Sequence, residues 1–179
     1  MPIIARDSGG GDFTPHPEGM HQMCCVDVVD HGIIPTAFGD KHKITVRWQS
    51  TEVGKSGHRL TVQKRYTLSL HEKAALRADL KSWRGRDFTA QEAMGFDVEK
   101  LLGVNALVNI VHKVAPDNKV WANVASLGPL MKGMTPIAAA EDYVRQAARS
   151  TEPEPNEVPQ DDPARGVYDG IEDMAGVPF

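Results

Sequence analysis

The segment from Lys41 to Leu68 constrains the fold most strongly, because two runs of alternating residues flank the turn-rich stretch Ser50–His58. Alternation of this kind is typical of a long β-hairpin, in which successive side chains point to opposite faces. One predicted face is apolar and is expected to be core: Ile44, Val46, Trp48, Leu60, Val62 and Leu68. The other predicted face is polar and basic: Lys43, Thr45, Arg47, Gln49, Thr61, Gln63, Arg65 and Thr67.

The basic face is suited to a polyanion, since the only acid between Lys41 and Leu68 is Glu52, which falls in the turn. A second interpretation stays open at this point. Antiparallel sheets often leave one face in water, so the same polar set is also compatible with an ordinary solvated surface.

The charge is divided unevenly along the chain. The net charge is −4, but residues 151–179 hold eight acids and one base, Arg165, whereas the preceding residues hold 19 bases and 16 acids. Residues 151–179 therefore carry a net charge of −7, and the preceding residues carry a net charge of +3. Opposition of this kind is typical of a nucleic-acid-binding body with an acidic tail.

The chain is long enough for one domain with appendages. Residues 1–17 carry turn and linker residues and predict a flexible arm. Residues 18–133 are predicted to form the domain, and residues 134–150 a C-terminal helix over Pro136–Arg149. Residues 151–179 are rich in proline and acids and poor in large apolar residues, so they are predicted to be disordered.

Within the domain, the sequence predicts five strands. The first, Glu18–Ile34, is long enough to need a bend or bulge, and the hairpin supplies the second and third. A capping box at Ser69–Glu72 begins a predicted helix that ends at Gly85, and Thr89–Glu92 repeats the capping pattern before Gly95. The fourth and fifth strands are Val104–His112 and Val120–Leu127.

Three strands, a helix and two strands form the element order of the OB-fold. This fold is a five-stranded Greek-key barrel that binds single strands or oligosaccharides through the face of its second and third strands. The basic hairpin occupies those two positions. We therefore predict a mainly β protein, a five-stranded OB-fold barrel with a helix between strands three and four and a disordered acidic C-terminal tail.

The C-terminal segment Asp169–Phe179 is acidic and ends in proline and phenylalanine. It resembles the tails of bacterial and phage single-stranded DNA-binding proteins, and residues 64–73 and 83–85 are similar to small phage-encoded proteins of that type. The resemblance implies an OB-fold body that binds single-stranded DNA and a tail that docks replication or recombination proteins. The tail residues implied to bind partners are Asp169, Glu172, Asp173, Pro178 and Phe179.

Binding of a single strand needs cations along the phosphates and aromatic faces against the bases. The polar candidates are Lys41, Lys43, Arg47, Gln63, Lys64 and Arg65, with Lys55 and Arg59 near the hairpin turn. The aromatic candidates are Phe38, Trp48, Tyr66 and Trp121. Trp48 and Tyr66 fall in phase with the core, which favours a core position for both, so Phe38 and Trp121 are the better stacking candidates.

Two motifs that suggest other chemistry are incomplete. Glu52–Ser56 resembles a phosphate loop but lacks its first glycine, because position 49 is Gln49, and a hairpin turn is the favoured interpretation. The candidate zinc ligands lack the usual spacing: His16, His21, Cys24 and Cys25. The sequence therefore predicts no metal site, no cofactor and no enzymatic activity.

The leading hypothesis is a non-enzymatic, sequence-tolerant single-stranded DNA-binding protein of phage DNA replication, recombination or repair, in the cytoplasm of a bacterial host. Three alternatives stay open: RNA or double-stranded DNA binding on the same fold, a metal-dependent DNA-processing enzyme, and a scaffold whose tail recruits partners. A homo-oligomer is compatible with each. No run of 18 apolar residues occurs, so no membrane contact is expected.

Overall fold

The alternating segments form one antiparallel sheet. The computed structural model describes residues 14–148. Its strands are β1 (Gly19–Thr36), β2 (Gly39–Val53), β3 (Arg59–Thr67), β4 (Asn105–Val114) and β5 (Val120–Gly128), and their order in the sheet is β3-β2-β1-β4-β5. Within the described residues no ladder joins β3 to β5, so the sheet is open, although the two strands approach each other. The mainly β class and the five strands are confirmed, and a closed barrel is not.

β1 is the central strand and has two partners. Its residues Gly19–Cys24 pair with Asn105–Ile110 of β4, and from Cys24 onward it pairs with β2. Two bulges interrupt the pairing with β2, one at Val26 and one at His31. A bulge bends its strand and increases the twist. The predicted bend is therefore confirmed, and it lets one strand serve two neighbours.

The inner face of the sheet is the core and is covered by α1 (Ala75–Arg84), which packs against β3 and β5. The ring of Trp83 in α1 lies 5.8 Å from the ring of Trp48, and its indole N–H donates to the Asn105 carbonyl at 2.8 Å. Buried residues of this core include Met23, Cys25, Ile44, Val46, Trp48, Val62, Tyr66, Leu76, Leu80 and Trp83.

The helix after β3 begins later than predicted. The Ser69 hydroxyl accepts a hydrogen bond from the His71 backbone N–H at 3.2 Å, and such a local bond competes with helix formation. α1 starts only at Ala75, and no side chain caps it. Its predicted end at Gly85 is confirmed by a left-handed backbone with φ of 71°.

Two short helical segments link α1 to β4. α2 (Ala90–Met94) starts at a capping box in which Thr89 and Glu92 bond each other's backbone N–H groups, as predicted. A 3-10 turn follows at Val98–Leu101, and the Asp97 side chain caps it. Among the described residues no helix is long and apolar enough to cross a membrane.

The predicted helix over Pro136–Arg149 is wrong within the described residues. Residues 129–145 form no regular helix, and only Gln146–Ala148 makes a 3-10 turn. Sheet side chains accept hydrogen bonds from backbone N–H groups of this segment, at Ile137 and Ala140 among others. Helix propensity is a weak preference that tertiary contacts override. We call residues 135–148 the strap.

The end of the predicted N-terminal arm is anchored rather than flexible. His16 is buried, its Nδ1 donates to the Pro17 carbonyl at 3.1 Å, and its Nε2 therefore accepts from the Ser50 hydroxyl at 2.7 Å. Its ring also packs edge-on against His21 at 4.5 Å. The rest of the arm, residues 1–13, and the predicted tail, residues 151–179, lie outside the described residues.

Candidate nucleic-acid interface

The polar face of the β2–β3 hairpin forms as predicted, because cross-strand partners share a face. The register pairs Lys43 with Thr67, Thr45 with Arg65, and Arg47 with Gln63. We call this side of the sheet the outer face. The expectation that it lies open throughout is wrong, since three of its members are buried: Thr45, Arg47 and Gln49.

The strap covers the outer face at Arg47 and Gln49, whereas the Thr45 hydroxyl lies 2.8 Å from His31 Nε2. The Gln49 side chain accepts a hydrogen bond from Ala140 N at 2.7 Å. The Asn105 side-chain amide bonds both backbone groups of Ile137, each at 2.8 Å, in the way that a neighbouring strand would. Side-chain amides thus give the strap the partners that a strand obtains from a ladder.

Asp27 anchors the far end of the strap. The bulge at Val26 places Asp27 on the outer face, and its fully buried carboxylate accepts from Tyr143 Oη at 3.2 Å, Arg145 Nε at 3.2 Å and Gln146 N at 2.7 Å. The sequence interpretation missed this residue. The available signal was an acid within the apolar run Cys-Cys-Val-Asp-Val-Val, where a buried charge needs partners.

The predicted DNA-binding residue Arg47 lies at the border of the strap with only 8% of its surface exposed. Its Nε and Nη2 donate to Gln63 Oε1 at 3.1 and 2.8 Å. Burial raises the pKa of Tyr143, and a hydrogen bond with Arg47 acts in the opposite direction. Arg47 and Gln63 therefore meet as predicted, but largely beneath the surface.

Beyond the strap the outer face is partly open to solvent. Lys41 and Lys43 alternate along β2 on the same side as Arg65, and Lys43 Nζ donates to the Thr67 hydroxyl at 2.9 Å. We call Lys41, Lys43 and Arg65 the basic row. Lys41 is exposed, whereas Lys43 and Arg65 are half-buried. The register places Asp40 on the opposite side of the hairpin.

Phe38 lies in the two-residue turn between β1 and β2 and is 77% exposed. The Thr36 hydroxyl donates to the Gly39 carbonyl at 2.6 Å and accepts from Phe38 N at 3.3 Å, which orders the turn. The exposed aromatic ring therefore stands on an ordered turn at the end of the strand that carries Lys41 and Lys43.

Three other candidates lie on the core side of β2 and β3, where they cannot reach a ligand on the outer face. Trp48 is fully enclosed, and Tyr66 is buried with its hydroxyl donating to Asp79 at 2.7 Å. Lys64 also pairs with Asp79 at 2.7 Å. Burial and this carboxylate raise the pKa of Tyr66. The prediction that Lys64, Trp48 and Tyr66 contact DNA is therefore not supported by their positions.

The β2–β3 turn holds the strap from its other side. Arg59 Nη1 donates to the Ala138 carbonyl at 2.9 Å, and His58 Nδ1 lies 2.9 Å from Asp142 Oδ2. This hydrogen bond lowers the pKa of Asp142. Lys55 in the same turn is exposed. Arg59 thus serves the strap, and Lys55 remains the candidate of this turn.

Trp121 is half-buried on β5, cross-strand from Lys113 on β4. It lies on a different strand pair from the basic row. The predicted partner-binding residues fall outside the described part of the chain: Asp169, Glu172, Asp173, Pro178 and Phe179.

The cysteines and histidines weighed as zinc ligands are separated by the fold. Cys25 belongs to the core, where burial raises its pKa to about 12, whereas Cys24 is buried on the outer face, close to Ala139 of the strap. Both thiols are unpaired. Within residues 14–148 no three His, Cys, Asp or Glu side chains are arranged to hold a metal ion.

Comparisons with known proteins add no family. No family model matches the chain, and no curated protein matches it significantly.

Proposed function

We propose that this protein binds single-stranded DNA in a sequence-tolerant manner, in phage-type replication, recombination or repair. The observation that carries the proposal is the basic row on one open face, with Phe38 exposed at the end of the same hairpin. Cations that track phosphates together with an exposed aromatic ring are the two parts of a single-strand binding surface.

The sheet order supports an OB-like architecture for the domain. The order β3-β2-β1-β4-β5 is that of an OB barrel opened between β3 and β5, with α1 inserted between β3 and β4. OB-folds are partly open barrels that use the β2–β3 face and the β1–β2 loop for single strands. The basic row and Phe38 occupy these two places.

The proposed site is smaller than the sequence suggested. It consists of Lys41, Lys43 and Arg65 for phosphates and Phe38 for a base, with Lys55 at the neighbouring turn. Phosphate contacts carry no sequence information directly, which supports sequence tolerance. The partner-binding role of the acidic tail belongs to the same proposal and is supported by the sequence resemblance.

The test is a salt titration of oligonucleotide binding by the full-length protein. Each phosphate contact to a single strand contributes about 0.7 to the slope of log affinity against log salt. The double variant Lys41→Ala/Lys43→Ala should therefore lower the slope by roughly 1.4. Single-stranded DNA, single-stranded RNA and duplex DNA of matched length are compared, and single-stranded DNA is expected to bind most tightly.

A matched control removes two exposed lysines from elsewhere on the surface, Lys100→Ala/Lys132→Ala. If both double variants lower affinity equally, binding follows net charge and not the basic row. Tighter binding of RNA or of duplex DNA by the wild-type protein would replace the proposed ligand with the alternative one.

A further inference from the structure

Arg47 holds a positive charge against neutral partners. Its bonds go to the Gln63 side-chain oxygen and the Tyr143 hydroxyl. Within residues 14–148 Arg47 forms no ion pair, and a charge that is 92% removed from water is costly without one. The partners of Arg47 satisfy its N–H groups without cancelling its charge.

A carboxylate that could cancel this charge lies directly across the strand pair. Asp27 is the register partner of Arg47 and shares its face. The strap engages Asp27 instead, through Arg145 Nε at 3.2 Å, the Tyr143 hydroxyl at 3.2 Å and Gln146 N at 2.7 Å. Three strap donors, one of which is the cation Arg145, satisfy Asp27, and among the described residues Asp27 forms its ion pair with Arg145 and not with Arg47.

We propose that Arg145 is a positioning residue for DNA binding. By pairing with Asp27 it leaves the charge of Arg47 to act on phosphates held at Lys43 and Arg65. The inference rests on the function proposed above. Lys43 and Arg65 are the nearest members of the basic row, since Thr45, the residue between Lys43 and Arg47 on this face, is cross-strand from Arg65. Charges in partly buried surroundings are screened less than exposed ones.

Loss of Arg145 would redirect Asp27. A buried carboxylate that loses its counter-charge is costly unless another cation compensates it. Arg47 is its cross-strand neighbour, and an Asp27–Arg47 pair would cancel the positive charge on this part of the face. The strap then affects DNA binding without touching DNA.

The experiment measures the affinity of full-length variants for an oligo-dT strand at low and high salt. Arg145→Gln should weaken binding roughly fivefold at low salt, with a smaller loss at high salt. Arg145→Lys keeps a cation beside Asp27 and should bind as the wild type does. Lys100→Gln is the matched control, because it removes one positive charge nearby without touching Asp27, and it should lose much less.

A second pair of variants separates positioning from direct contact or strap loosening. Adding Asp27→Asn to Arg145→Gln removes the carboxylate that would capture Arg47, so affinity should return toward that of the wild type. If Arg145 instead contacts DNA directly, or if its loss loosens the strap, the double variant should keep the low DNA affinity of Arg145→Gln. In an Arg47→Ala background, Arg145→Gln should cause no further loss.

Wild-type affinity in Arg145→Gln, or strictly additive losses with Arg47→Ala, would overturn the inference. Should Asp27→Asn fail to fold, the Arg47→Ala background and the Arg145→Lys variant still test whether Arg145 acts through Arg47. If the wild type binds no oligonucleotide at all, the proposed function fails. If binding depends on Lys41 and Lys43 but not on Arg145, only this inference fails.

Discussion

The outer face of the sheet has two parts that come from the same strands and differ in what lies over them. Beside Asp27 and Gln49 the face is covered by the strap, whereas beside Lys41 and Lys43 it is open. Strand alternation places both parts on one side. Strand alternation therefore determines the side of the sheet on which a residue lies. A segment distant in sequence determines whether that residue is exposed to solvent.

The two parts also differ in chemistry. The covered part uses neutral amides and one carboxylate, each bonded to strap groups at 2.6 to 3.2 Å. The open part carries long cationic side chains. Buried polar groups stabilise a structure when their bonds are satisfied, whereas exposed cations contribute little to stability. The covered part is therefore expected to serve stability and the open part binding.

The largest expected effect comes from removing the strap anchor. Asp27→Ala removes the acceptor of the Tyr143 hydroxyl, of Arg145 Nε and of the Gln146 amide, while Arg145 keeps its bond to Glu99 at 2.9 Å, and it should lower the free energy of unfolding by about 2 to 3 kcal/mol. Lys43→Ala on the open part should change it by less than about 0.5 kcal/mol. Urea denaturation followed by tryptophan fluorescence measures both. Equal losses of unfolding free energy in the two variants would show that the covered and open parts do not differ in their contribution to stability.

The next effect concerns the open part alone. Phe38→Ala should lower the affinity for an oligo-dT strand by about 1 to 3 kcal/mol, the value of one stacked base, without changing the melting temperature. Ile33→Ala is the matched control, because Ile33 is also strongly exposed, at 71%, but faces the other side of the hairpin. Equal losses in the two variants would show that the ring of Phe38 is not a stacking platform.

A smaller effect is expected where the strap crosses β2. Gln49→Ala removes the acceptor of the Ala140 N–H and should cost about 1 kcal/mol, with faster hydrogen exchange at Ala140 and unchanged DNA affinity. Thr61 is the exposed cross-strand neighbour of Gln49. Thr61→Ala should leave the hydrogen-exchange rate at Ala140 unaltered. A Gln49→Ala variant with wild-type exchange would show that this bond does not hold the strap.

The smallest effect is a pH dependence of stability at His16, just before β1. Burial lowers the pKa of His16 below its ordinary value of 6.5, the Pro17 carbonyl opposes this, and His21 adds to it. Because the unfolded chain binds a proton at His16 more readily than the folded chain, stability is fully present above pH 6.5 and falls as the pH drops below it.

Melting curves between pH 7.5 and pH 5 check this pH dependence. His16→Gln should flatten the decline, and His71→Gln, in the exposed turn before α1, should not. A decline of the same size in His16→Gln would assign the proton uptake to another group.

Local patterns predicted much of the fold. The faces of the hairpin, the bulged first strand, the capping box at Thr89 and the left-handed end of α1 at Gly85 depend on residues close together in sequence. The helix expected over Pro136–Arg149 did not form, because its backbone groups bond sheet side chains far away in sequence. Propensity describes a segment by itself and contains no information about such partners.

The candidate site was predicted in part. Alternation placed Lys43 and Arg65 on one face correctly, and phase with the core identified Trp48 as buried. Arg47 was expected in the open because the strap was not foreseen. Asp27 was missed because it lies two positions after Cys25, which puts both on one face of a regular strand, whereas the bulge at Val26 moves Asp27 to the other face.

The anchors of the strap come from three strands, Gln22 of β1, Gln49 of β2 and Asn105 of β4. The bonds to Gln22 and Gln49 close loops of 113 and 91 residues. Closing such loops is slow until the intervening chain is organised. The bonding partners of the strap are in place only once β1 has joined both of its neighbours, so we expect the strap to dock after the sheet has formed.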